Sequence, residues 1–111
     1  MRTIKFRIWD KQLKAFLYRL PEKHHSDWER FDVQQFTGLL DSKGKEIYEG
    51  DIVKGKFNPD KVEDWLWLSL TDNEKKIGEK LFKIEIPEIY QNPLPDIIEI
   101  VGNIYENKEL L

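Results

Sequence analysis

GLLDSKGKEIYEGDIVK, residues 38–54, is the stretch that decides the fold of this chain. Asp41-Ser42-Lys43-Gly44 predicts a tight turn, because the aspartate caps nearby N–H groups and the glycine accepts positive φ. A short extended piece at 46–48 follows, and a second turn at Gly50 leads into the β-branched pair Ile52-Val53. The stretch therefore predicts turn, strand, turn, strand, and we expect Gly50 to have positive φ or a close backbone neighbour.

Period-two alternation predicts further strands on both sides of this stretch. Residues 3–9 and 13–20 form an expected N-terminal hairpin, with Ile4, Phe6 and Ile8 facing inward. The charged residues of the opposite faces are expected to be solvated; these are Lys5, Arg7, Lys11 and Lys14. Residues 33–37, 81–86 and 97–101 complete the strands, and Gly102 permits a bulge after the last one.

One short helix and one terminal helical turn are expected among these strands. Asn58-Pro59-Asp60 has the form of a helix start, and apolar residues then recur at helical spacing up to residue 70. Residues 65–68 also alternate as a strand would, but the longer stripe favours a helix at 59–70. We expect residues 71–80 to form a connection, in which 75–80 has the alternative of a single helical turn broken by Gly78, and residues 107–111 to form a C-terminal helical turn.

The predicted fold class is mainly β with minor α, as a small SH3-like barrel or a strongly bent antiparallel sheet. The chain of 111 residues suits a single domain spanning 1–111. The expected core consists of large apolar residues from every predicted strand: Ile4, Phe6, Ile8, Phe36, Ile47, Ile52, Phe82, Ile84, Ile98, Ile100 and Ile104.

Composition restricts the classes of function. The chain has no apolar run of the ~18 residues that a membrane span needs, no signal-like h-region and no cysteine, so disulfides and thiolate metal sites are excluded. We expect a soluble cytoplasmic protein with no membrane contact and no cofactor. The adjacent His24 and His25 are interpreted as solvated loop residues, because neighbours on an extended chain point in opposite directions.

Three separated segments resemble the YopX family of phage and prophage proteins. They are FRIWDK at 6–11, QFTGLLDSKGKEIYEGDIV at 35–53 and IVGNIYENKELL at 100–111; residues 57–96 contain no matching motif. The resemblance implies a phage or prophage origin and a small, mainly β architecture, and it supplies no catalytic residues. The residues that carry it are interpreted as structural: Gly38, Gly44, Tyr48, Gly50, Asp51, Gly102, Asn103 and Tyr105.

Two sets of residues are candidates for binding. Trp65 and Trp67 would suit a protein contact or the core, and less well a stacking platform for bases, because Glu63 and Asp64 beside them would repel phosphates. Lys5 and Arg7 belong to a basic excess in residues 1–30 and are the candidates for nucleic-acid contact, although the net charge of −3 favours simple solvation.

Two functions of different classes follow. We favour a non-catalytic binding module that acts on a protein partner or associates with itself, with nucleic acid as a weaker possibility. The alternative is a small Mg²⁺-dependent hydrolase or nuclease whose carboxylates Glu46, Glu49 and Asp51 would supply oxygen ligands. No Lys or His stands in a recognisable pattern for a general base, which favours the binding module.

Overall fold

The computed structural model describes residues 5–19, 28–86, 88–91, 94–95 and 97–110, except for the side chains of Trp28 and Tyr90. Ile4, expected in the core, and the two loop histidines at 24 and 25 lie outside the described residues. In the described part of the chain, no helix is long and apolar enough to cross a membrane.

Among the described residues, seven strands form two antiparallel sheets, so the mainly β prediction with minor α is confirmed. The first sheet has the order β2-β1-β3-β4, with β1 at Phe6–Asp10, β2 at Ala15–Leu17, β3 at Phe31–Leu40 and β4 at Glu46–Tyr48. The second has the order β6-β5-β7, with β5 at Asp51–Lys56, β6 at Glu79–Lys83 and β7 at Ile97–Asn103. Short helices complete the described part: α1 at Asp64–Ser69, α2 at Asp72–Ile77, α3 at Glu88–Gln91 and 3₁₀ turns at Trp28–Arg30 and Lys108–Leu110.

The two sheets meet at the Glu49-Gly50 turn, where β4 ends and β5 begins. Gly50 has φ +90°, which confirms the expectation from the sequence. A Cβ on Gly50 would lie 2.0 Å from Nε2 of the buried Gln34, a residue of β3. Glycine is therefore required here for its backbone conformation and also for the space that its missing side chain leaves.

The first turn of the central stretch ties the sheets together a second time. Asp41 accepts hydrogen bonds from the backbone N–H groups of Lys43, Lys45 and, in β7, Ile100. Burial opposes ionisation of Asp41, but these donors hold the pKa of its carboxyl below the usual value. The Ser42 N–H donates to the Ile98 carbonyl, and the Ser42 hydroxyl accepts from the Ile98 N–H.

The core contains most of the expected residues. Ile8, Ile47, Ile52, Ile84 and Ile98 are buried, and Phe36, Phe82, Ile100 and Ile104 are half-buried. The expectation for Phe6 was wrong, because its side chain is 48% exposed at the open end of β1, where it pairs with the exposed Gln35.

The helical region differs from the expectation in two ways. Helix α1 starts at Asp64, because residues 58–61 form a turn in which the Asn58 side chain accepts the Asp60 N–H and the Asn58 carbonyl accepts the Lys61 N–H. The expected connection at 71–80 contains α2, which a Thr71–Glu74 capping box begins and Gly78 in the left-handed conformation ends.

Alanine at Gly50 should destabilise the protein more than alanine at Gly38. Both glycines have positive φ, but nothing lies within 4 Å of a Cβ on Gly38, so Gly38→Ala should cost only the backbone strain of about 1–2 kcal/mol. Gly50→Ala must also displace Gln34 and should cost about 2–4 kcal/mol in urea unfolding. In a Gln34→Ala background the two glycine substitutions should cost about the same; a persistent difference would contradict the steric argument.

Acid sensitivity should depend on Asp10. This fully buried carboxylate pairs with Arg30 and accepts the N–H groups of Gln12 and Leu13; chiefly the Arg30 hydrogen bonds hold its pKa at about 2, below its ordinary 3.8. Because the folded-state pKa is lowered, Asp10 stabilises the fold above the unfolded-state pKa, and this contribution is lost as the pH falls toward 2. Asp10→Asn should therefore flatten the stability profile between about pH 4 and 2.

The matched control for this prediction is Asp60→Asn, at an exposed turn position. Thermal melts across the pH series compare both variants with the original chain. An acid profile equally steep in Asp10→Asn would show that other carboxylates cause the sensitivity.

Candidate binding groove

A groove of about 900 Å³ lies where the end of β5, the loop 57–63 and helix α1 face the residues between α3 and β7. This volume falls within the range of ligand pockets in proteins. We call it the α1 groove. Trp65 lines this groove, so the structure places one of the sequence-predicted binding residues at a concave surface.

The loop wall of the groove is held by Gly78. The Phe57 N–H donates to the Gly78 carbonyl, and a Cβ on Gly78 would lie 2.9 Å from the Phe57 carbonyl oxygen. Because Gly78 also ends α2 with φ +70°, one residue stops that helix and lets the loop approach closely. The Asn58 turn then carries the chain into α1.

The opposite wall depends on Gly55, the second-to-last residue of β5. A Cβ at this position would lie 2.8 Å from the Phe82 ring and 3.0 Å from Pro95. The missing side chain therefore allows Pro95, which lines the groove, to pack directly over the strand. Leu94 packs against the core beneath it, so this wall is anchored to the second sheet.

Apolar and polar side chains occupy different depths of the groove. The apolar lining is buried or half-buried, apart from the exposed Ile97, and comprises Phe57, Val62, Trp65, Leu66, Leu94, Pro95 and Ile97. The polar lining is exposed throughout and comprises Lys56, Asn58, Lys61, Glu63 and Gln91. The α1 groove thus has an apolar floor and a polar rim.

The structure separates the two tryptophans. Residues two apart on an α-helix point in roughly opposite directions. Trp65 lines the groove, whereas Trp67 is 36% exposed and has the Lys75 ammonium 4.7 Å from its ring centroid. The next residue, Leu68, is 83% exposed. The stacking platform considered from the sequence would have needed both indoles together.

Lys5 and Arg7, the other two candidates for binding, do not line the groove. The expectation that Arg7 is solvated was wrong, because its guanidinium is buried between the rings of Phe16 and Tyr48, at 4.1 and 4.7 Å from their centroids. Arg7 donates to Gln34 at 2.8 Å and to Asp51 at 2.6 Å. Lys5 is exposed, as expected, and pairs with Glu46.

The carboxylates of the alternative metal site have separate partners. Glu46 pairs with Lys5, Glu49 accepts the Ile86 N–H at 3.3 Å, and Asp51 binds Arg7 and the Tyr48 N–H. Burial raises the pKa of the Asp51 carboxyl, against the opposing effects of Tyr48 and Arg7. Among the described residues, no group of three or more Asp, Glu, His or Cys could hold a metal ion.

The motif residues near the C-terminus form a compact closing turn. The Asn103 side chain accepts the N–H groups of Tyr105 and Glu106, and a Cβ on Gly102 would lie 2.6 Å from the Asn107 side chain. The Tyr105 ring stacks on Trp9 at 4.8 Å and its hydroxyl donates to Asp32. Burial and that hydrogen bond raise the pKa of Tyr105 to about 12.

The remaining motif positions lie in turns or in ring contacts. Gly38 and Gly44 have φ of +85° and +82°, and Tyr48 packs its ring against Phe36 and Arg7.

Sequence reasoning missed Lys56 and Lys61 as groove residues. Lys61 stands four positions before Trp65, but Lys56 comes to the groove only because β5 ends there.

Comparison with known proteins finds a matching family and a similar solved structure. A family model described as YopX protein matches residues 17–111. No curated protein matches the chain. The crystal structure of protein EF1440 from Enterococcus faecalis is similar over 100% of this chain and 99% of that chain, with 22% sequence identity and a TM-score of 0.53. At this identity the likeness concerns the fold alone.

Removing Arg7 should cost far more stability than removing both members of its ion pair. Arg7→Met leaves the Asp51 carboxylate buried without its cation and should lower the free energy of unfolding by about 3–5 kcal/mol. The double variant Arg7→Met/Asp51→Asn should recover part of that loss. Urea unfolding of the two single variants and the double variant measures the coupling, and strictly additive losses would show that the pair acts as two independent residues.

Proposed function

The chain belongs to the YopX protein family, and from this we propose that it is a phage or prophage accessory protein that acts by binding a protein partner through the α1 groove. The family resemblance supports the phage context. The groove supports the mode of action, because it is a large concave surface with an apolar floor and an aromatic wall.

The single observation that carries this proposal is the position of Trp65. Large aromatic residues dominate binding energy at protein interfaces, particularly when they sit in a pocket surrounded by exposed polar residues. Trp65 lines the groove together with the buried Leu66, and Lys56 and Lys61 are among the exposed residues of the lining. Helix α1 holds the indole on a regular element, so the surface is largely formed before a partner arrives.

A binding role also fits the use of the other chemically interesting side chains. Arg7 and Asp51 are buried in one ion pair, and Lys5 and Glu46 form another at the surface. These contacts occupy the residues that a nuclease or a nucleic-acid footprint would have drawn upon. The proposed binding includes self-association, in which the partner is a second copy of the chain.

Photo-crosslinking tests whether the groove contacts a partner in cells. A photoreactive amino acid replaces Lys61 at the groove or, as a matched control, Lys76 on α2, which is exposed and outside the lining. We expect a protein adduct from position 61 and none from position 76. Trp65→Ala should reduce the adduct at least about fivefold, whereas Trp67→Ala on the same helix should leave it unchanged.

Thermal melts of both tryptophan variants confirm that the compared proteins are folded. An adduct that forms equally at both positions, or that ignores Trp65, would contradict the proposal. Metal-dependent cleavage of DNA or RNA by the purified chain, lost in a folded Asp51→Asn variant, would replace it with the enzyme alternative.

A further inference from the structure

The rim of the α1 groove carries two lysines that form no ion pair among the described residues. Lys56 pairs in the sheet with Glu79, but the Glu79 carboxylate approaches the Lys54 ammonium, at 3.9 Å. Lys61 follows the Asn58 turn and is likewise without a carboxylate partner in the described part of the chain. Six other described lysines have such a partner, namely Lys5, Lys11, Lys43, Lys54, Lys80 and Lys83, whereas Lys14, Lys45, Lys75, Lys76 and Lys108 form no ion pair in the described part of the chain.

The local charge of the rim is opposite to that of the whole chain. The groove lining contains two lysines and one carboxylate, Glu63, in a protein whose formal net charge is −3. Complementary charge on a partner would be attracted here and repelled by much of the remaining surface. Electrostatics therefore favours an acidic ligand at this groove.

The distribution of polarity favours a protein segment as that ligand. A small-molecule site usually places a few polar groups among its apolar walls to fix orientation, but every described polar side chain of this lining is exposed. An apolar centre within a polar rim is the anatomy of a protein interface. Nucleic-acid interfaces are much more positively charged, and Glu63 would face the phosphates.

We infer that the α1 groove takes a segment of a protein partner in which an apolar anchor residue stands beside Asp or Glu. The anchor packs against Trp65 and the floor, and the carboxylates pair with Lys56 and Lys61. This inference rests on the proposed function and adds the chemical class of the partner segment.

Selection from a random peptide library displayed on phage tests the inference without a known partner. The purified chain is compared with Lys56→Glu/Lys61→Glu and with the control Lys76→Glu/Lys108→Glu, which makes the same change of charge at two exposed lysines outside the groove. Thermal melts verify that all three proteins are folded. Trp65→Ala serves to identify the selected peptides that bind at the groove.

The original chain and the control should select peptides that combine apolar residues with Asp or Glu. The groove variant should lose these peptides and prefer ones with Lys or Arg. The best acidic peptide, made synthetically, should bind the groove variant about tenfold or more weakly than the control, since two attractive contacts become repulsive.

Two other outcomes would overturn the inference and differ in what they say of the proposed function. Trp65-dependent peptides without an acidic bias would leave a protein-binding groove but remove the charge argument. Failure to select any Trp65-dependent peptide would remove both, and binding of oligothymidylate that is lost in the groove variant would then assign the groove to nucleic acid.

Discussion

The buried ion pair between Arg7 and Asp51 is the constraint on which the rest of the structure depends, because it joins the first sheet to the second. Arg7 belongs to β1, and Asp51 opens β5 immediately after the Gly50 turn. Desolvating two charges is costly, and the cost is offset here by additional partners: Gln34 accepts from the guanidinium, and Asp51 accepts the Tyr48 N–H. Those partners fix β3, β4 and the turn relative to one another. The Gln34 amide occupies the position that a side chain on residue 50 would need.

The other buried aspartates act in the same way at smaller scale. Asp10 closes the turn after β1 while binding Arg30, the last residue of the 3₁₀ turn before β3. Asp41 closes the turn after β3 while accepting the N–H of Ile100 in β7. Each carboxylate satisfies backbone donors that a loop would otherwise leave to water, and each also contacts a distant element. The aspartates of the recognisable motifs therefore determine how the strands are arranged, and this structural use explains their presence in the turns.

Sequence reasoning predicted what depends on local pattern and failed where a distant partner decides. The turns at 41–44 and 49–50 and the strands around them follow from glycine, β-branching and alternation. Arg7 was expected to be solvated, because its partner Asp51 lies 44 residues away and period-two alternation contains no information about that pairing. Helix α2 was predictable from Thr71, Glu74 and Gly78, whereas the start of α1 was not, since Asn58-Pro59-Asp60 is equally suited to the turn that it forms. Trp65 was identified from the sequence. Its neighbours in the groove could not be identified, because they come from β5, α3 and β7 as well as from α1 and the loop 57–63.

The contacts that join the two sheets and the residues that line the groove come from different parts of the chain, and this separation bears on how the protein works. Residues that resemble the family motifs form the ion pair, the two aspartate-bearing turns and the C-terminal closure. The groove is built mainly from residues 56–66 and 91–97, outside those motifs, and attaches to the sheet through close approaches at Gly55 and Gly78. The rim residues are exposed, and Lys56 and Lys61 form no ion pair among the described residues, so the charge of these two rim positions can change without disturbing the association of the sheets. Buried charges hold the scaffold, and the groove surface can be mutated separately. Substitutions in the groove can therefore change the partner while the fold is kept.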